Sequence, residues 1–203
     1  MKIVAPDEAG LAAAVKALRA GDVVACPTDT VYGLAVDPFS EEALARLFTI
    51  KERDPANPVL LIVADPDQIE KVAGRVSQTA QRLMDHFWPG PLSLLLPALP
   101  TLPDALTAGG GKVCVRQPDC DVARRLCALA GGPLTSTSAN RSGEPPARSI
   151  DELDVPNIAV AVDAGPLPPS RPSTVYDPET GEIVRAGAID AEALRAVAAE
   201  TES

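Results

Sequence analysis

Asp22-Val23-Val24-Ala25-Cys26-Pro27-Thr28-Asp29-Thr30-Val31-Tyr32-Gly33-Leu34 is the stretch from which the rest of the chain can be ordered. Residues 22–26 form a compact apolar run that Pro27 ends, the pattern of a buried strand that then turns. Before it, residues 7–20, DEAGLAAAVKALRA, set Leu11, Val15 and Leu18 at helical spacing, with Gly21 as the stop signal. After it, Ser40 is placed to cap a helix over SEEALARLFTIKER, with carboxylates in the first turn and Leu44, Leu47 and Phe48 on one face. That helix delivers Lys51 and Arg53 at its end. A buried strand ending in a polar turn and flanked by helices points to an α/β domain, where ligands collect at strand ends.

The alternation continues without a strict repeat. NPVLLIVA (57–64) reads as a short strand, residues 68–88 as helical apart from Gly74, and PGPLSLLLPAL (89–99) as extended. KVCVRQP (112–118) is a strand, residues 120–132 a helix stopped by Gly131, and PLTSTSAN (133–140) a strand leading into a polar loop. NIAVAVDAG (157–165) is another strand, followed by a Pro-rich irregular loop over 165–173 that would suit a lid. STVYDPETGEIVRAG (173–187) reads as two strands around a turn at 179–181, and DAEALRAVAAE (190–200) as the last helix.

Composition narrows the class. A chain of 203 residues with 46% hydrophobic content can form one domain, 1–203, that buries about 70% of its unfolded surface. With three Phe, two Tyr and one Trp, its core must be built mainly from Ala, Val, Leu and Ile. No apolar run approaches the roughly 20 residues of a membrane span, and MKIVAPDEAG has no signal-peptide pattern, so a cytoplasmic protein is expected. Cys26, Cys114, Cys120 and Cys127 contain no CxxC pair and His86 is the sole histidine, so no metal-ligand spacing is present. The formal net charge of −10 opposes a broadly nucleic-acid-binding surface, and an anionic ligand has to be held locally.

Polar groups at apparent strand ends carry the candidate chemistry. In Pro27–Leu34 two hydroxyls flank a carboxylate; such a turn holds a small polar ligand, or Thr28 and Asp29 simply bond their own backbone. Lys51 and Arg53, ahead of Asp54-Pro55-Ala56-Asn57-Pro58, either bracket a polyphosphate or complement a helix C-terminus. Residues 135–143, TSTSANRSG, form either a phosphate cradle or a polar turn. Lys112, Arg116 and Arg185 adjoin strand-like runs and are able to converge on the same site. No GxxxxGK[ST], GxGxxG or GxSxG pattern occurs, which excludes P-loop, dinucleotide and serine-hydrolase readings, and His86, beside Phe87 and Trp88, reads as structural.

Taken in order, PTDTVYGL, KER followed by NP, WPGPLSLLL, VRQP, STSANRSGEPP, PSTVYD and IVRAGAI closely resemble the YrdC-like family of threonylcarbamoyl-AMP synthases, in its short form, from about residue 8 to about residue 195. The resemblance implies an open, twisted, mixed α/β sheet with flanking helices and a large concave groove. It implies ATP as a substrate with Mg2+ accompanying it, together with L-threonine and bicarbonate. The product would serve a downstream threonylcarbamoyl transferase complex that modifies position 37 of tRNA, with tRNA engaged indirectly. The family's Lys-x-Arg and Ser-x-Asn signature corresponds to Lys51, Arg53, Ser138 and Asn140, of which Lys51 and Arg53 are the catalytic candidates. Arg53, Asn57, Lys112, Ser138, Asn140, Pro146 and Arg185 would surround ATP, and Thr30, Arg116, Ser136, Ser173 and Thr174 the amino acid.

Lys51 and Arg53 are expected in a solvent-lined groove, so that alanine at either abolishes pyrophosphate release and leaves the fold intact. Ile62 stands where longer members carry a histidine, and Lys112 where a small or hydroxyl residue is frequent. Two rival readings follow from the same residues. One is a carbamoyl-adenylate-forming module; the other is a non-catalytic RNA-binding protein with a patch at Arg124, Arg125, Arg141 and Arg148.

Overall fold

A computed structural model describes residues 1–52, 58–141 and 143–200. The elements in chain order are β1 (Lys2–Val4), α1 (Glu8–Arg19), β2 (Val23–Pro27), β3 (Tyr32–Ala35), α2 (Glu41–Lys51), β4 (Leu60–Ile62), α3 (Gln78–Phe87), β5 (Leu92–Pro97), α4 (Asp104–Thr107) and β6 (Lys112–Arg116). They continue with α5 (Asp121–Ala130), β7 (Leu134–Thr135), β8 (Thr137–Ser138), β9 (Ile158–Val162), β10 (Thr174–Asp177), β11 (Glu182–Arg185) and α6 (Ala191–Ala199). Local chemistry sets the helix starts. Side chains of Asp7, Ser40, Ser77 and Asp190 accept from the N–H groups of Gly10, Ala43, Ala80 and Glu192, each such cap being worth about 1 kcal/mol.

The strands divide between two mixed sheets, one ordered β1-β9-β2-β3-β8 and the other β11-β10-β5-β6-β4-β7. β2 pairs parallel with β9 and antiparallel with β3; β6 pairs antiparallel with β5 and parallel with β4. The two sheets meet at residues 134–138, where β7 belongs to one sheet, β8 to the other, and Ser136 alone separates them. Tyr32, Leu34, Leu61, Leu92, Leu94 and Leu96 lie in the main core, while Leu11, Val24, Ile62, Leu126 and Leu134 belong to a second cluster beneath α1 and α5. Truncating one of these leucines to alanine costs about 2–5 kcal/mol.

The single interrupted helix expected over 68–88 is divided. A 3-10 turn covers Pro66–Lys71, and α3 begins only at Gln78. Between them the Gly74 N–H donates to the Pro97 carbonyl, the Leu99 N–H donates to the Val72 carbonyl, and Ala73 bridges Ala98. Ladder bonds to the end of β5 satisfy this backbone, so the helical period of the side chains is overridden by pairing with a distant segment.

Candidate functional site

The turn between β2 and β3 is organised by Thr28. Its hydroxyl donates to the Val31 carbonyl at 2.7 Å and accepts from the N–H groups of Thr30 and Val31 at 3.1 and 3.2 Å. Thr28 therefore bonds its own backbone, as one of the two sequence readings has it, but Asp29 does not. Asp29 turns to Arg116, the last residue of β6, and accepts a hydrogen bond from its Nη2. Arg116 also donates from Nη1 to the Thr30 hydroxyl at 3.3 Å and from Nε to the Gly90 carbonyl at 3.1 Å. The residue is 2% exposed. Burial pushes its guanidinium below the ordinary arginine range, Asp29 opposes that, and neighbouring Arg185 adds to it.

Arg185, at the end of β11, donates from Nε and Nη2 to the Ser173 carbonyl at 3.2 and 2.9 Å and from Nη2 to the Ser173 hydroxyl at 2.9 Å. The Ser173 hydroxyl in turn lies 2.9 Å from that of Ser93. Gly187 makes this approach possible: a Cβ there would lie 2.4 Å from the Pro172 carbonyl oxygen, from the Ser173 carbonyl carbon and from the Thr174 nitrogen. The Pro-rich segment lies against the same turn. The Ser170 hydroxyl donates to the Thr30 carbonyl at 2.7 Å, and the Tyr32 hydroxyl donates to the Gly165 carbonyl at 2.9 Å.

A second polar cluster adjoins the first through β3. Gly33 pairs in register with Ser138, and a Cβ on Gly33 would come within 2.7 Å of the Ser136 hydroxyl. Lys51, the last residue of α2, reaches this loop with its ammonium. Nζ donates to the Ser138 and Asn140 carbonyls, each at 2.6 Å, and to Asn140 Oδ1 at 2.9 Å. Asn140 Oδ1 also accepts from the Ser138 hydroxyl at 2.5 Å, and its amide donates to the Glu144 carbonyl at 2.5 Å. Lys51 is 2% exposed, which corrects the expectation of a cation lying free in a solvent-lined groove. The ammonium gives these part-buried carbonyls a charged donor, that of Ser138 in addition to the Asn140 N–H.

Thr30, Arg116 and Ser173 thus gather with Arg185 at one strand end, and Lys51, Ser138 and Asn140 gather at the next, with Ser136 between the two sheets. Thr174 does not join them: its hydroxyl exchanges hydrogen bonds with the Ile189 backbone at 3.1 and 3.0 Å and is fully buried. Lys112 starts the strand that Arg116 ends, and it bonds Asp177 at 2.6 Å and Glu179 at 2.9 Å. Pro146 is exposed beside Ala147, whose carbonyl accepts from the Tyr32 N–H. Arg53 and Asn57 lie outside the described residues. Ile62 pairs in register with Arg116 and is buried in the second cluster. Asp29, Ser93 and Ser170 went unassigned from the sequence. For Asp29 the signal was present, a carboxylate between two hydroxyls past a strand; for the serines nothing local marks them.

The arrangement defines a class: an α/β protein in which a buried arginine at one strand end and a lysine-braced loop of hydroxyls and amides at the next can hold a small molecule bearing several anionic groups. The Sua5/YciO/YrdC family profile, described as telomere recombination, matches residues 16–187. The threonylcarbamoyl-AMP synthase of Chromohalobacter salexigens is 41% identical over 177 residues, 86% of this chain and 96% of that one. Sua5 of Pyrococcus abyssi in complex with L-threonine superposes with a TM-score of 0.89 at 32% identity; the match covers 97% of this chain and 59% of that longer one. YciO of E. coli superposes with a TM-score of 0.80 at 26% identity, covering 93% of this chain and 96% of its own. The chain belongs to the Sua5/YciO/YrdC family.

Proposed function

We propose that the protein is an L-threonylcarbamoyladenylate synthase, a nucleotidyltransferase that supplies the donor for threonylcarbamoylation of tRNA. The amine of L-threonine adds to CO2 and loses a proton, or condenses with bicarbonate and loses water, to give an N-carboxylate. One oxygen of that carboxylate attacks the α-phosphate of ATP, the bond to the β-phosphate breaks, and pyrophosphate leaves. Relatives named for this product match nearly their whole length, and a Sua5 structure similar in fold carries L-threonine.

The observation that carries the reading is the placement of two anion-directed clusters on either side of β3. Arg116, bonded to the Thr30 hydroxyl, receives the amino-acid carboxylate in a charge-assisted fork, and Ser136 and Ser173 are assigned to the same amino acid on the family resemblance. Ser138 and Asn140 are assigned to the α-phosphate on the family resemblance: the Ser138 proton goes to Asn140 Oδ1, which leaves the second N–H of the Asn140 amide as the donor, and Arg185 is assigned to the ATP phosphates on the same resemblance. Arg53 and Asn57 are assigned to the ATP phosphates on the family resemblance. Lys51 acts through its loop: its ammonium fixes the Ser138 and Asn140 carbonyls, so the donors are in place before the nucleotide arrives. No covalent intermediate with the protein is required, and charge stabilisation of the displaced pyrophosphate is the main task.

Magnesium enters with the phosphates of ATP, whose charge it offsets. Among the described residues no group of three or more His, Cys, Asp or Glu side chains is disposed to hold a metal ion, and no step is assigned to one. No helix among the described residues is long and apolar enough to cross a membrane; a cytoplasmic location beside the tRNA-modifying complex is part of the proposal. The test is product identification: the purified protein, given ATP, magnesium, bicarbonate and L-threonine, should yield threonylcarbamoyl-AMP by mass spectrometry. AMP and pyrophosphate without that adduct would refute the reading.

A further inference from the structure

Arg116 is the most deeply buried cation beside the amino-acid pocket, and its surroundings are lopsided. A guanidinium has five N–H donors. Here one nitrogen is taken by the Gly90 carbonyl, one by the Thr30 hydroxyl and one by the Asp29 carboxylate, so each terminal nitrogen retains a further N–H. The other charge acting on Arg116 from close by is Arg185, which repels it. Asp29 is therefore the one carboxylate paired with Arg116 among the described residues, the arginine side chain being 3% and the aspartate side chain 14% exposed. Asp29 is itself held on the Thr28 turn, where the Thr28 hydroxyl accepts from the N–H groups of the two residues that follow Asp29, Thr30 and Val31.

We propose that Asp29 is the positioning residue of the amino-acid pocket. It holds the Arg116 guanidinium against repulsion from Arg185, in the orientation in which its remaining N–H donors meet a substrate α-carboxylate. Two arginines against one resident carboxylate leave an excess positive charge, which the incoming carboxylate neutralises. This inference rests on the function proposed above, deepening its amino-acid site.

The experiment uses the full chain with Asp29→Asn, which keeps the shape and one acceptor, and Asp29→Ala, which keeps neither. The readouts are KM for L-threonine, KM for ATP, and the rate at which phenylglyoxal labels Arg116, mapped by peptide mass spectrometry. The expected result for Asp29→Asn is a threonine KM at least about tenfold higher, an ATP KM within about twofold of wild type, and Arg116 labelling several-fold faster. A general structural role would raise both KM values together, and that outcome overturns the proposal. So does a lowered threonine KM, which would make Asp29 a competitor of the substrate carboxylate. Should the wild-type protein release no pyrophosphate in response to threonine, the functional reading falls, and labelling alone decides: faster modification of Arg116 in Asp29→Asn sustains the positioning role, unchanged modification ends it.

Discussion

The ammonium of Lys51 stands 2.9 Å from Asn140 Oδ1 and 2.6 Å from the carbonyl oxygens of Ser138 and Asn140, tying the end of α2 to a loop more than eighty residues away in sequence. A lysine whose donors are spent on protein oxygens shapes the site, leaving other groups to contact the nucleotide.

Lys51→Ala should therefore lose both stability and activity. Removing the ammonium leaves part-buried carbonyls without their charged partner, a loss of about 2–3 kcal/mol, or roughly 5–10 °C in Tm for a chain of this size. Pyrophosphate release should fall at least a hundredfold. Thermal unfolding alongside kinetics checks this; a variant with wild-type Tm and no activity would instead make Lys51 a direct phosphate ligand.

Gly187→Ala should damage the arginine at the opposite side of the site. The new Cβ would collide with the backbone of residues 172–174 at 2.4 Å, shifting the Ser173 carbonyl and hydroxyl that hold Arg185. A stability loss of about 1–3 kcal/mol is expected, as for overpacking elsewhere, with a several-fold fall in kcat/KM. Urea unfolding and steady-state rates provide the measurement, and a variant indistinguishable from wild type in both would contradict it.

Lys112 and Asp177 give a pH signature. Burial pushes the Asp177 carboxyl up, but hydrogen bonds from Lys112 and from the Glu179 and Thr180 N–H groups outweigh it and bring it below the usual range. The Lys112 ammonium, bonded to Asp177 and then Glu179, is raised. For a depressed carboxyl the folded state binds protons less readily than the unfolded one, so the stabilisation is present above about pH 4 and lost as pH falls through the folded value. The raised lysine contributes below about pH 10 and loses that contribution as pH climbs through its folded value. Asp177→Asn should be less stable than wild type at pH 7, with the difference shrinking toward pH 3 in urea titrations. A gap independent of pH would show that the carboxylate charge is immaterial.

The thiols should rank by burial. Desolvation pushes Cys114 and Cys127 up to about 12 and Cys26 well above its ordinary value, while Cys120 is only partly buried. Iodoacetamide at pH 8 should label Cys120 first in the native protein, the other three following only on unfolding. Prior labelling of Cys114 or Cys127 would contradict the packing around them.

Much of this was legible from residue patterns. The strand before Pro27, the cap at Ser40 and the hairpin around residues 179–181 all follow from local chemistry that the tertiary structure leaves in force. The region 72–77 misleads because its helical period competes with backbone pairing to Pro97 and Leu99, which no local window contains. The site divides in the same way. Arg116 and Ser138 stand out as polar residues at strand ends, but a sequence cannot say which protein groups a side chain already bonds, such as Asn140 for Lys51, the Ile189 backbone for Thr174, and Asp177 for Lys112. Asp29 is the converse case, a side chain read as a turn former whose partner lies 87 residues further along.

The most direct test of the central claim is pyrophosphate release by the purified protein with ATP, magnesium and bicarbonate, measured with and without L-threonine and with serine and carbamoyl phosphate in parallel. Release should depend strongly on L-threonine and fall when bicarbonate is withheld. Release that requires carbamoyl phosphate and ignores threonine, or no release under any condition, would contradict it.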